Sequence, residues 1–264
     1  KQIFILDTGL KYPENELMGI DVVIPDWEYL REHKDRIVGV FLTHGHADSI
    51  GALPYFLMDF NVPVFGSEMT IALAKLAVKG HKEVKKFNDF HVVDAATAID
   101  FNDVTVSFFQ TTHTIPETLG VVIETSAGNI VYTGDFKFDQ TATKGYQTDL
   151  ARLAEIGSQG VLALLSDSAG AGITGISARE KDIGEYIKET FKYQNGRIIV
   201  ASVASNIMRV QQIINAAVAV DRKLVLSGKD IEQIINTAMN LGKLKLPKGL
   251  LISMKEADKL EPNQ

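Results

Sequence analysis

Leu42-Thr43-His44-Gly45-His46-Ala47-Asp48-Ser49 is the stretch on which the reading of this chain turns. Two histidines at i and i+2 in an extended segment point the same way, because strand side chains alternate with period two. Neutral imidazole is a ligand for zinc and related transition metals. Asp48 follows two residues later, where a loop turns into a helix expected over residues 50–57. An apolar strand at 37–42 leads into the motif. A lone His-x-His pair is more often plain polarity than a metal site. The strand before it, the acid after it and the helix beyond shift the weight to metal binding.

Further candidate ligands fall at the ends of predicted strands. Asp7 ends the strand at 3–6, and His113 lies just beyond a strand at 104–109. Asp135 follows a strand at 129–133, and Asp167 follows one at 161–165 expected to be buried. Singly, each has an ordinary structural reading. His113 could be a hydrogen-bonded loop residue, Asp7 and Asp167 turn or cap residues, and Asp135 a turn acid. Recurrence at strand ends, together with the His44–Asp48 motif, points instead to one active edge. His33, His81 and His91 fit no ligand spacing and read as surface or hydrogen-bonded residues.

The 264 residues suffice for one or two domains. The chain has no cysteine, so disulfides and thiolate metal sites are excluded and any metal must be held by His, Asp or Glu. A cytosolic location fits this composition. A net charge of −6 argues against a uniformly basic nucleic-acid binder. It leaves room for a local basic cleft or for a metal that neutralises phosphate. No apolar run reaches membrane-spanning length, and the start has no signal-peptide pattern. The first residues already read as a strand in mid-flow, so the natural N-terminus is expected to lie upstream.

Strands and helices alternate in the first part, with a helix from about 67 to 79 that Ser67 would cap. A β-rich stretch follows, including strands at 90–93 and 120–125 and a hairpin signal at Ser126-Ala127-Gly128-Asn129. Beyond Ser177 the rhythm is helix (178–192), strand (197–201), helix (205–220), strand (223–227) and helix (231–241). That order predicts a parallel, doubly wound sheet. A domain boundary is expected near residues 173–177, after Ala169-Gly170-Ala171-Gly172. The stripes Ile71, Leu73, Ala74, Leu76, Ala77 and Ile207, Val210, Ile213, Ile214 read as core faces. The Lys-rich run 79–86 reads as a solvated face.

The order Asp-x-Gly, His-x-His-x-Asp, His and Gly-Asp resembles the metallo-β-lactamase superfamily. Longer stretches are similar to its β-CASP branch, the ribonuclease J family. They are Asp7-Thr8-Gly9-Leu10-Lys11-Tyr12-Pro13, Gly19-Ile20-Asp21-Val22-Val23-Ile24-Pro25-Asp26, His113-Thr114-Ile115-Pro116-Glu117, Tyr132-Thr133-Gly134-Asp135-Phe136-Lys137-Phe138-Asp139-Gln140 and Ala201-Ser202-Val203-Ala204-Ser205-Asn206-Ile207. The resemblance implies an α/β fold: a metallo-β-lactamase αββα sandwich over 1–175, lacking its opening strands, then part of a β-CASP domain over 176–264. It implies a cytoplasmic two-metal ribonuclease, exonucleolytic from 5′ to 3′ and endonucleolytic, serving rRNA processing and mRNA decay.

By that pattern His44, His46 and His113 hold one metal, Asp135 bridges, and Asp48 binds the second metal and helps orient the water. Asp7 orients a ligand histidine from behind. Asp167 lies near the β-CASP boundary, and Ser202, Ser205 and Asn206 line the RNA cleft. Two departures stand out. Ser49 replaces the second-metal histidine of His-x-His-x-Asp-His, and Ser166-Asp167-Ser168-Ala169-Gly170 replaces Ser-Asp-Ser-Thr-Asn. They resemble the second, less active paralogue of this family in Gram-positive bacteria. The expectation is one firm Zn²⁺ site, at most a weak Mn²⁺ or Mg²⁺ site beside it, and attenuated RNA hydrolysis. The partners expected are RNA and either an active paralogue or a second copy of the chain. From another class comes the alternative: a catalytically silent structural subunit of a complex with that paralogue. The βαβα segment argues against a small-molecule hydrolase.

Overall fold

One sheet is parallel and the other mostly antiparallel, and the two bury apolar side chains between them. The computed structural model describes residues 1–14, 17–143, 145–261 and 263. The chain divides into two compact units. The first comprises Lys1–His113, Glu117–Lys137 and Thr148–Ala169; the second comprises Thr114–Pro116, Phe138–Gln147 and Gly170–Gln264.

In the first unit the order is β1 (Ile3–Leu6), α1 (Glu28–Glu32), β2 (Ile37–Phe41), α2 (Ala47–Ile50), α3 (Leu53–Asp59), β3 (Val64–Gly66), α4 (Glu68–Lys79) and β4 (Phe90–Val92). It continues with β5 (Ala98–Asp100), β6 (Val104–Gln110), β7 (Leu119–Thr125), β8 (Gly128–Tyr132), α5 (Leu150–Ser158) and β9 (Val161–Leu165). β1-β2-β3-β4 form a parallel sheet, with Leu6 opposite Phe41 and Phe41 opposite Phe65. β5-β6-β7-β8-β9 form the second, antiparallel except for the β8–β9 pair.

Period-two alternation builds the core. Val106 and Phe108 of β6 join Val121 and Ile123 of β7, Phe41 of β2 and Phe65 of β3 in one buried cluster between the sheets. The Phe41 and Phe65 rings stack at 5.0 Å. The intervening residues Phe109, Val122 and Val131 face the other way, onto Ile156 and Leu153 of α5. Behind the parallel sheet, Leu53 and Phe56 of α3 and Met69, Ile71 and Leu73 of α4 are buried. The result is helices, sheet, sheet and helix, the αββα order expected. Ser67 caps α4 as expected, its hydroxyl accepting from Thr70 N. The β7–β8 hairpin turns through Ser126-Ala127, with Thr125 opposite Gly128.

One expectation fails here. β9 forms, but it is not buried: Leu162 is 60% and Leu164 62% exposed. It is an edge strand, and among the described residues nothing covers its outer rim.

The second unit holds α6 (Glu180–Tyr193), α7 (Ile207–Ala219), α8 (Lys229–Asn240) and α9 (Met254–Ala257). α6 is anchored at its start, where the Glu180 amide donates to buried Asp139 at 2.6 Å. The segments 197–201 and 223–227, expected as strands, do not pair with each other. Parallel pairing in this unit is confined, among the described residues, to a bridge between Leu224 and Leu251. Ile198, Val200, Leu224 and Leu226 instead line a cleft of about 640 Å³ with Ile214 and Ile235. Both segments keep the apolar character of strands; pairing is the part that a distant sequence partner must supply.

Candidate metal centre

Five strands deliver side chains to one edge of the first unit. Asp7 follows β1, His44 follows β2, His113 follows β6, Asp135 follows β8 and Asp167 follows β9. β1 and β2 run parallel, as do β8 and β9, and β6 runs parallel to β8 through their shared antiparallel partner β7. All of these residues therefore sit at the same, C-terminal, ends of their strands.

The histidines converge. One ligand atom each from His44, His46 and His113 lies within 4.8 Å of the others, and the same holds for His44, Asp48 and Asp135. The three imidazole centroids are 4.7–4.9 Å apart. His113 Nε2 is 3.1 Å from His46 Nδ1. His44 Nε2 is 3.5 Å from Asp48 Oδ1 and 3.9 Å from Asp135 Oδ2. It is buried with no hydrogen-bond partner. An imidazole nitrogen in that state is costly unless something else binds it. Three imidazoles with ligand atoms this close, one of them with an orphaned nitrogen, could serve as the donor set of a divalent metal ion. Burial, then the neighbouring His44 and His46, push His113 down to about 3, so it presents the neutral imidazole a metal requires. Contact with the His44 imidazole holds Asp48 down to about 2. Burial raises Asp135 above the usual carboxylate range.

Local sequence explains the convergence. The His46 backbone is extended and caps α2, which places Asp48 in the first turn of that helix. A lone bridge from Thr112 to Lys137, with Lys137 N donating to Thr112 O, ties the His113 segment to the Asp135 segment. Thr112 and Thr148 exchange amide-to-hydroxyl bonds of 2.9 Å and hold the same loop. Gly134, at φ +56°, packs on Thr43: a Cβ there would stand 2.8 Å from the Thr43 Cβ.

Behind the histidines, Asp7 is half-buried at φ +60°. It accepts hydrogen bonds from Thr43 N (2.8 Å), Thr43 Oγ1 (2.9 Å), Ser49 Oγ (2.5 Å) and Tyr132 OH (2.9 Å). Burial pushes its carboxyl up, opposed by these donors. Burial and the facing Asp7 raise Tyr132. The Asp7 segment is tied to the end of β2 by Asp7 N to Phe41 O, and to the loop that carries His44, His46 and Asp48 by Thr8 N to Ser49 O, Leu10 N to Ala47 O and Ala52 N to Thr8 O. Gly9 is pressed onto that loop so closely that a Cβ would fall 1.7 Å from Asp48 O. The second set of donors is thinner. Besides His44 it has the two carboxylates Asp48 and Asp135, and Ser49 points its hydroxyl at Asp7 instead.

Asp167 lies close enough to raise Asp135 electrostatically, and its amide donates to Thr133 Oγ1 at 3.0 Å. Ser202, Ser205 and Asn206 belong to the second unit. Ser202 is exposed, Ser205 half-buried, and the Asn206 amide oxygen caps α7 by accepting from Arg209 N at 2.9 Å. Tyr132 and Thr43 went unassigned in the sequence reading. Both lie in motif stretches, but no spacing rule marks a residue whose partner is 125 or 36 positions away.

Residues 1–156 match the family model of the metallo-β-lactamase superfamily, and the chain belongs to that superfamily. Use of divalent metal goes with this membership, and the histidine cluster is where it would bind. Residues 195–264 match the model described as ribonuclease J, beta-CASP domain. The chain is 56% identical over 263 residues to ribonuclease J 2 of Streptococcus pyogenes serotype M3, covering 99% of this chain and 48% of that protein. It is 45% identical to ribonuclease J 2 of Staphylococcus epidermidis, covering 100% of this chain and 47% of the relative. The figures for that of Staphylococcus aureus are 44%, 100% and 47%. The chain thus spans about half the length of these curated relatives. A crystal structure of a protein of unknown function from Enterococcus faecalis V583 shares the fold, with TM-score 0.68 at 15% identity over 98% of this chain and 69% of the other.

Proposed function

We propose that this chain is the metal-binding part of a ribonuclease J-type nuclease that hydrolyses RNA phosphodiester bonds slowly. The convergence of His44, His46 and His113 around an unpartnered nitrogen carries the reading. In this reading the three histidines, with Asp135, hold one Zn²⁺. Asp48 and Asp135 hold a weaker Mn²⁺ or Mg²⁺. A bound divalent ion supplies Lewis acidity towards a phosphoryl oxygen. Asp48, kept ionised, accepts a proton or a hydrogen bond from the attacking water. Asp7 and Asp167 position the carboxylates and histidines in front of them. Ser202, Ser205 and Asn206 contact the RNA.

Attenuation follows from Ser49. Losing one ligand of the second site costs on the order of 10²-fold or more, by analogy with losing one stabiliser of transition-state charge. Activity is 5′-to-3′ exonucleolytic and endonucleolytic, in cytoplasmic rRNA processing and mRNA decay. The partner is an active paralogue, or a second copy. The ribonuclease J 2 relatives support this reading. The second reading is a catalytically silent structural subunit of such a complex, and the diverted Ser49 hydroxyl favours it.

The test is decay of a 5′-monophosphorylated RNA with Mn²⁺, using intact protein from a host lacking the paralogue, beside His46→Ala. Decay that disappears in His46→Ala supports the nuclease. Equal background rates in both leave the structural subunit.

A further inference from the structure

Thr43 stands between two groups that define where its single hydroxyl proton can go. Its Oγ1 donates to Asp7 Oδ2 at 2.9 Å and lies 2.9 Å from His44 Nδ1. A hydroxyl has one proton and two lone pairs. With the proton spent on the carboxylate, the oxygen can only accept from the ring. We propose that Thr43 is a positioning residue: it relays the Asp7 carboxylate to His44, fixes that ring with its proton on Nδ1, and so leaves the Nε2 lone pair facing the ligand cluster. The proposal rests on the metal-centre reading above.

Three observations bear on it independently. His44 Nε2 is buried without a hydrogen-bond partner, so no protein group competes for its lone pair once the proton sits on Nδ1. Asp7 is committed as an acceptor on both oxygens: Thr43 N and Ser49 Oγ donate to Oδ1, Thr43 Oγ1 and Tyr132 OH to Oδ2. The hydroxyl also cannot swing away. The Thr43 amide is bonded to Asp7, its carbonyl accepts from Leu119 N at 2.9 Å, and Gly134 packs on its side chain. Ser49 thus has a task of its own, bracing the carboxylate on which the relay depends.

The decisive measurement is the tautomer of His44 in the intact, metal-free protein with ¹⁵N-labelled histidine, read from long-range ¹H–¹⁵N correlations. The proton is expected on Nδ1. Thr43→Val should lose that preference and weaken Zn²⁺ binding roughly 10- to 100-fold, the usual cost of removing a group that orients a ligand. Chelator competition reads the affinity, and Thr43→Ser should restore both properties. A proton on Nε2 in the unmodified protein overturns the relay, as does wild-type affinity in a folded Thr43→Val. If Thr43→Val does not fold, the unmodified protein's tautomer still decides. If the unmodified protein takes up no Zn²⁺, the metal reading falls, while the tautomer continues to judge the relay.

Discussion

Ser49 fills the position where a His-x-His-x-Asp-His arrangement carries its last histidine, and it is buried against Asp7 rather than empty-handed. Removing its hydroxyl leaves the half-buried Asp7 carboxylate one donor short. Ser49→Ala is therefore expected to cost about 1–3 kcal/mol, read from urea unfolding, without changing the three histidines. Gly9→Ala is a harsher change. Its Cβ would collide with the Asp48 carbonyl, and a backbone atom cannot rotate aside as a side chain can. The expected loss is about 1–3 kcal/mol or more, with Zn²⁺ affinity falling alongside, because the collision displaces the loop that carries His46 and Asp48. Much of this centre was legible in the sequence. His44, His46, His113, Asp48 and Asp135 are marked by residue type and by their place at strand ends. Thr43 and Tyr132 were not, since a threonine after a strand and a tyrosine at a strand end are ordinary and their common partner, Asp7, is far away in the sequence.

At the level of elements, Asn206 separates two roles that sequence alone merges. It caps α7, so Asn206→Ala is expected to cost about 1 kcal/mol by thermal unfolding. If the residue also touches RNA, filter binding should weaken as well; a stability loss with unchanged RNA affinity leaves it a cap only. Phe108 sits with no exposure in the layer between the sheets. Phe108→Ala should cost about 3–5 kcal/mol, enough to unfold much of a typical domain's margin. Helices and strands of the first unit were readable because each carries its own period: two in β6 and β7, and 3.6 with a serine cap in α4. α1, β5 and α5 were missed, the first two for their shortness and the last for its mixed composition. In the second unit, residues 197–201 have a strand's composition without a strand's neighbour. Hydrogen-bond pairing is not a local property, so composition overstated it. β9 was overstated in the same way: its leucines predict burial, but covering them depends on what packs outside the sheet.

For the molecule as a whole, the carboxylates and imidazoles that face one another at the strand ends give a simple thermal signature. An ion that binds the folded form alone stabilises it by mass action, about 2.7 kcal/mol at a hundred times its dissociation constant. Zn²⁺ should therefore raise the melting temperature of the unmodified protein and leave that of His46→Ala unmoved. Bound metal should amount to one ion per chain by elemental analysis; two would overturn the one-firm-site reading. The net charge of −6 places any attraction for RNA in a local surface rather than in the average. The lacing of Asp7-Thr8-Gly9 to the loop after β2 carries a consequence of another kind. Three backbone hydrogen bonds and a close-packed glycine hold that loop in shape using no ligand atom at all. The residue at position 49 can therefore change its side chain while the loop around it keeps its path. Loss of a ligand there and loss of the fold are thereby separate events.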